Sequence, residues 1–103
     1  MAPFDVHATR GETARLAPYI VTLQAGLLAD LQTVVVAPLH LPKTLTHPID
    51  GLHVAVVFKG KSNLLAIEQL ISLPRALLGR PAGSLLADQA AIKRSIDHLF
   101  FGI

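Results

Sequence analysis

The sequence predicts an antiparallel α+β domain of barrel-like type, and three observations support this. Five or six short segments rich in β-branched residues are separated by Gly, Pro and Asp turn signals, as in antiparallel sheets. One amphipathic segment with a helical period follows them. The 103 residues are 51% hydrophobic and 5% aromatic, so we expect one domain, residues 1–103, with a core of Val, Leu, Ile and Ala.

The N-terminal part of the chain contains three predicted strands. Their alternating or β-branched patterns cover residues 4–8, 19–23 and 34–36. Residues 9–13 predict a polar turn around Gly11. The adjacent Leu27 and Leu28 fall in a predicted loop, where core packing or a partner must cover them. Because Pro38 lacks a backbone N–H, we expect the third strand to end near Leu39.

The second half predicts a hairpin, a short strand and a break. Residues 47–51 are typical of a turn. The hairpin consists of residues 52–58 and 63–69, joined through Lys59, Gly60 and Lys61. A short strand at residues 71–73 ends at Pro74. Residues 79–83 contain two glycines and a proline, and are expected to break the chain before the helix.

The C-terminal segment predicts an amphipathic helix with both ends marked. Asp88 is a suitable N-cap, and Gly102 suits the residue after the last turn. One buried stripe is predicted, with the members Ile92, Ile96, Leu99, Phe100 and Ile103. Successive helical residues point about 100° apart, so Phe101 is expected to face solvent or a second subunit.

Composition excludes several classes of function. The nine Lys and Arg against seven Asp and Glu are too few and too scattered for a nucleic-acid-binding face. No stretch reaches the roughly 18 apolar residues that span a membrane. With no cysteine and no signal peptide pattern, we expect a cytoplasmic protein.

No constellation in the sequence indicates an enzyme. The five histidines match no zinc-ligand spacing, and most are expected to be exposed or hydrogen-bonded. No serine lies in a G-x-S-x-G elbow, the acidic residues are isolated, and no glycine pattern cradles phosphate. We therefore predict no catalytic residues, no metal and no cofactor. The heavy apolar load predicts a homodimer or another obligate partner.

Several segments together resemble one known family. The ending Ile92-Lys93-x-x-Ile96-x-x-Leu99-Phe100-Phe101-Gly102-Ile103 resembles the C-terminus of the CcdB toxins of bacterial toxin–antitoxin modules. Weaker similarities precede it in the same order, at Phe4-x-Val6, Val35-Val36-Ala37-Pro38-Leu39, Ser72-Leu73-Pro74 and Leu77-Leu78-Gly79.

The resemblance implies both a fold and an activity. The fold is an SH3-like antiparallel barrel of the CcdB/MazF type, with a main sheet, a smaller sheet and a C-terminal helix, assembled as a homodimer. The activity is non-enzymatic poisoning of DNA gyrase: the toxin binds the A subunit of that enzyme and stabilises the cleaved DNA complex. A cognate CcdA-like antitoxin releases the gyrase.

The resemblance also assigns the gyrase contacts. They fall on Phe101, Gly102 and Ile103, with further positions at Phe100, Asp97, Leu27, Leu28 and Gln89. Phe101 stands where the gyrase poisons have Trp, and Asp97 where they have Asn. Phe keeps an aromatic face for a cation but loses the indole N–H donor.

Two alternatives remain open at this point. An endoribonuclease toxin of the MazF/Kid type has the same fold, although it needs charged groups that converge on an RNA groove. A homologue without toxicity would use its apolar surface only for dimerisation and antitoxin binding.

Overall fold

The computed structural model describes residues 3–11, 17–24, 30–45 and 48–102. Leu27, Leu28 and Ile103, which the sequence assigned to the partner surface, lie outside these ranges. The described elements, in chain order, are β1 (Asp5–Ala8), β2 (Tyr19–Thr22), β3 (Thr33–His40), β4 (His53–Phe58), β5 (Lys61–Ala66), β6 (Ile71–Pro74), β7 (Pro81–Ser84) and α1 (Gln89–Phe101).

The strands form one curled antiparallel sheet that branches at β3. The strand order is β4-β5-β3-β2-β1-β7, and β6 also pairs with β3. Residues 33–36 of β3 pair with β6, whereas Leu39 and His40 pair with β5. On its opposite side β3 pairs with β2 over residues 36–39. This half-barrel with a C-terminal helix confirms the predicted fold class.

Pro38 lies inside β3, which ends at His40, close to the end expected near Leu39. Leu23 N–H donates to Val35 O at 2.9 Å, so the alternation of the antiparallel ladder makes Ile20 and Pro38 a non-hydrogen-bonded pair. The nitrogen of Pro38 therefore points away from β2. It points to the other side of β3, where residues 37 and 38 pair with neither β6 nor β5. No described strand there accepts a hydrogen bond from position 38, so proline is tolerated.

β7 is a strand that the sequence pattern did not predict. The prediction that residues 79–83 only break the chain is wrong, because residues 81–84 pair with β1. Pro81 begins this edge strand, which is a position that proline tolerates. A Cβ on Gly83 would lie 2.6 Å from Cε1 of Phe58, so the absence of a side chain there lets the ring of β4 pack on β7. This contact joins the two ends of the sheet order.

The helix closes one side of the core. Ile92 is fully buried in a cluster that includes Val6, Leu39, Leu65 and Ile67. Ile96 and Leu99 are half-buried and pack against the same cluster. Burial of one such aliphatic side chain contributes about 1.5–3 kcal/mol to folding. No described helix is long and apolar enough to cross a membrane.

The prediction that Phe100 belongs to the buried stripe is wrong. Its side chain is 59% exposed, although Ile92, Ile96 and Leu99 occupy the inner face as expected. Eight residues at 100° each leave Phe100 about 80° around the helix from Ile92. That angle places it on the flank of the helix, where the sheet does not cover it.

Candidate functional site

The turn that precedes β4 contacts α1. The buried Ser95 Oγ donates a hydrogen bond to Gly51 O at 2.7 Å. Gly51 has a φ of +84°, and a Cβ on it would lie 3.2 Å from Cδ2 of His98. Ser95 and His98 are one turn apart, so the same face of the helix lies against this turn. The hydrogen bond of Ser95 therefore ties the C-terminal half of α1 to the turn that precedes β4.

Two phenylalanines are exposed on the last turn of the helix. Phe101 is 73% exposed, the largest fraction among the large apolar side chains that the structure describes, and Phe100 is 59% exposed. Their ring centroids lie 6.4 Å apart with an interplanar angle of 51°. Desolvated aromatic side chains are common anchors in protein interfaces. The pair forms a compact apolar surface that could bind another protein.

Asp97 belongs to the same surface by helical geometry. It precedes Phe100 by three residues and Phe101 by four, and these are the spacings at which helical side chains become neighbours. Its side chain is exposed. A carboxylate beside two aromatic faces suits a cationic partner group, which both chemistries attract.

Gly102 ends the helix in the predicted left-handed conformation. Its φ is +72°, and its N–H donates to His98 O at 3.0 Å. A Cβ at this position would meet no heavy atom within 4 Å. The fold therefore requires the glycine only for its backbone conformation, and the surface beside it is open to a partner.

Gln89 is separate from this group. It is the first residue of α1, twelve residues before Phe101, which corresponds to roughly 18 Å along the axis. Its Oε1 accepts a hydrogen bond from Lys93 Nζ at 3.5 Å. Of the residues assigned from the sequence, the structure thus brings together Asp97, Phe100, Phe101 and Gly102. We refer to these four residues as the helix-end surface.

Three of the histidines have structural contacts. His7 is buried and its Nδ1 lies 3.0 Å from Gly79 O, while His40 Nε2 lies 2.7 Å from Gln69 Oε1. The ring of His53 accepts a hydrogen bond at Nδ1 from Ile49 N–H, at 2.9 Å. Its Nε2 must then carry the proton. These contacts agree with the hydrogen-bonded roles expected from the sequence.

The pairing of His53 with Glu68 was not predicted, because 15 residues separate them and no motif connects them. The Nε2 of His53 lies 2.9 Å from both carboxylate oxygens. The pair ties β4 to the 3₁₀ turn Ile67–Gln69 that follows β5. Beside it, α1 and β4 border a cleft of about 380 Å³ that includes Arg94 and His98. Within the described ranges, no group of three or more His, Asp or Glu side chains could hold a metal ion.

Comparison with known proteins points to a toxin family. The sequence matches the family described as CcdB protein over residues 3–102. The Mycobacterium tuberculosis toxin MazF-mt6 is similar in structure, with a TM-score of 0.74 and 21% identity over 93% of this chain and 95% of that one.

A mycobacterial endoribonuclease solved in complex with its cognate antitoxin has a TM-score of 0.72 at 13% identity, over 94% of this chain and 91% of that one. At 21% and 13% sequence identity, these structural similarities show that the chain shares the fold of these two proteins. The comparison with curated proteins gave no match.

Proposed function

The chain belongs to the CcdB family, and on that premise we propose that it is the toxin of a type II toxin–antitoxin system that binds the A subunit of DNA gyrase. Binding stabilises the complex in which gyrase has cleaved the DNA, so that double-strand breaks accumulate in the cytoplasm. The toxin acts without catalysis, and a cognate CcdA-like antitoxin neutralises it.

The observation that carries this proposal is the exposure of Phe100 and Phe101 on a helix that Ser95 ties to the turn before β4. An apolar pair at this exposure gains its full hydrophobic stabilisation only when a partner covers it. The rings offer their faces to a Lys or Arg of the partner, an interaction of about 0.5–2 kcal/mol. The carboxylate of Asp97 also attracts a cationic side chain of the partner. Gly102, which has no side chain, lets the partner approach the end of the helix closely.

We propose that the active form is a homodimer, which presents two helix-end surfaces. A two-fold toxin can contact two sites on its target at once, which raises the overall affinity through effective concentration rather than through new contacts. Leu27, Leu28 and Ile103 are proposed contributors to the same surface, and Gln89 is proposed as a separate contact further along the helix.

An endoribonuclease is the second candidate, and the cleft beside α1 is the observation that favours it. Arg94 could stabilise a phosphate and His98 could transfer a proton. His53, the other imidazole of the cleft, has both ring nitrogens engaged, by Ile49 N–H and by Glu68. A pair of free general acid and base groups is therefore not assembled there, and we prefer the gyrase proposal.

Expression of the chain in bacteria tests the proposal. We expect growth arrest, double-strand DNA breaks, intact RNA, and surviving mutants with changes in the gyrase A subunit. RNA cleavage without DNA breaks would instead support the endoribonuclease. Unchanged growth would contradict both toxin activities and support a homologue that only dimerises and binds antitoxin.

A further inference from the structure

Strand β4 forms one edge of the sheet. It is at the end of the strand order and, among the residues that the structure describes, pairs only with β5. The connection is a two-residue hairpin turn, since Lys59 and Gly60 both have positive φ values, of 52° and 77°. Phe58 and Lys61 flank the turn as directly paired residues. This geometry determines which backbone groups point out of the sheet.

Alternate residues of β4 direct their N–H and C=O groups outward. In a two-residue hairpin, the two residues that flank the turn exchange backbone hydrogen bonds. Because this pattern alternates along an antiparallel pair, residues 54, 56 and 58 of β4 direct their backbone groups toward β5. The outward residues are His53, Ala55 and Val57. As this phase requires, His53 N–H leaves the sheet and donates to Ile49 O at 2.9 Å. No hydrogen bond among the described residues uses the outward N–H of Ala55 or Val57.

The side chains along this edge are apolar and exposed. Val57 is 68% exposed, and Ala55 is exposed as well. Residues 54–58 contain no charge and no proline, and their pairing with β5 is regular. Proteins normally protect such edges with charges, prolines, bulges or a covering element. An uncovered edge of this kind is suited to receive an extended peptide as an additional strand.

Positive charge marks the hairpin end of the edge. Lys59 adopts a left-handed conformation that Asn or Gly would adopt with less strain, and its Nζ lies 5.6 Å from the Phe58 ring centroid. Lys59 and Lys61 line a cavity of about 360 Å³ together with Tyr19 and Phe58. The groove along β4 has one carboxylate, Asp88, on its lining. The charges therefore favour a segment with acidic residues near the hairpin and uncharged residues opposite Asp88.

We propose that the β4 edge binds an extended, acidic segment of a partner protein, which pairs with Ala55 and Val57 as an eighth strand. This inference rests on the proposed function, in which the partner is the neutralising antitoxin. The backbone hydrogen bonds supply affinity, Val57 and Ala55 contact apolar side chains, and Lys59 with Lys61 selects acidic ones.

The probe for this site is a synthetic ten-residue peptide with valine at every second position, in which the remaining positions are glutamate in the half that lies near the hairpin and serine in the half that lies opposite Asp88. We expect it to bind the wild-type chain and to slow amide hydrogen exchange at Ala55 and Val57. Ala55→Pro removes only an outward N–H, so the fold should persist while the affinity falls at least tenfold. Ala55→Ser keeps that N–H and should bind like the wild type. A peptide with lysine in place of glutamate should bind at least fivefold more weakly.

Several results would overturn the proposal. These are no binding of the glutamate peptide at millimolar concentration, equal binding of the lysine peptide, or equal affinity of a folded Ala55→Pro. Self-association through β4 that Ala55→Pro abolishes would assign the edge to a second copy of the chain. None of these readouts involves gyrase. Without antitoxin, Ala55→Pro is expected to arrest growth as strongly as the wild-type chain. If the wild-type chain itself does not arrest growth, that result counts against the proposed function and not against the β4 site.

Discussion

Phe101→Ala is expected to abolish growth arrest while the fold remains intact. Phe101 is 73% exposed, so truncation removes little packing within the chain and should change the free energy of unfolding by less than about 0.5 kcal/mol. In an interface, truncation of an aromatic anchor costs about 2–4 kcal/mol, which is a roughly 30- to 1000-fold weaker Kd. Titration of the variant against the purified A subunit of gyrase measures the loss of binding, and a thermal unfolding curve measures the change in stability.

Leu77→Ala is the matched control for this prediction. Leu77 is 48% exposed and lies on the 3₁₀ turn Arg75–Leu77, outside the helix-end surface. It should retain full toxicity, which would separate loss of a specific contact from loss of surface apolarity. Phe101→Trp restores the residue of the gyrase poisons and an N–H donor, and should preserve or increase toxicity. Full toxicity of Phe101→Ala would show that the assigned surface is wrong.

Gly102→Ala is expected to reduce the affinity for gyrase at least tenfold. The new Cβ meets no atom of the chain within 4 Å, so its internal effect is the strain of a left-handed alanine, about 1–2 kcal/mol. In the proposed complex with gyrase, the same methyl group would occupy the open space through which the partner approaches Gly102. Binding to the A subunit of gyrase and the free energy of unfolding, measured on the same sample, separate these two contributions.

Gly60→Ala provides the comparison for Gly102→Ala. Gly60 has a φ of +77° and is equally open, but it lies at the β4–β5 hairpin tip. Both variants should lose similar stability, and only Gly102→Ala should lose affinity for gyrase. If the two variants lose toxicity equally, the backbone strain of a left-handed alanine accounts for the loss. The close approach of a partner to Gly102 is then not needed to explain it.

The parts of the fold that depend on local patterns could be predicted from the sequence. The β-branched segments form strands, and Gly102 ends the helix in the predicted conformation. β7 could not be predicted, because Gly83 is suited to a strand only once the distant ring of Phe58 is packed on it. The inclusion of Pro38 in β3 likewise depends on where two other strands end.

The candidate site shows the same division. Helical spacing alone places Asp97 beside Phe100 and Phe101, whereas the exposure of Phe100 depends on how far the sheet extends beneath the helix. The His53–Glu68 pair and the open edge of β4 arise from strand pairing and carry no local sequence signal. Contacts between distant segments are thus the part that the sequence did not reveal.

DNA cleavage by purified gyrase tests the central claim most directly. Supercoiled plasmid, gyrase and the chain are incubated, the protein is denatured and digested, and linear DNA and added RNA are quantified. We expect linear DNA to accumulate with the wild-type chain, no increase with Phe101→Ala, and intact RNA throughout. Absence of linear DNA with the wild-type chain, or cleavage of the RNA without gyrase, would contradict the account.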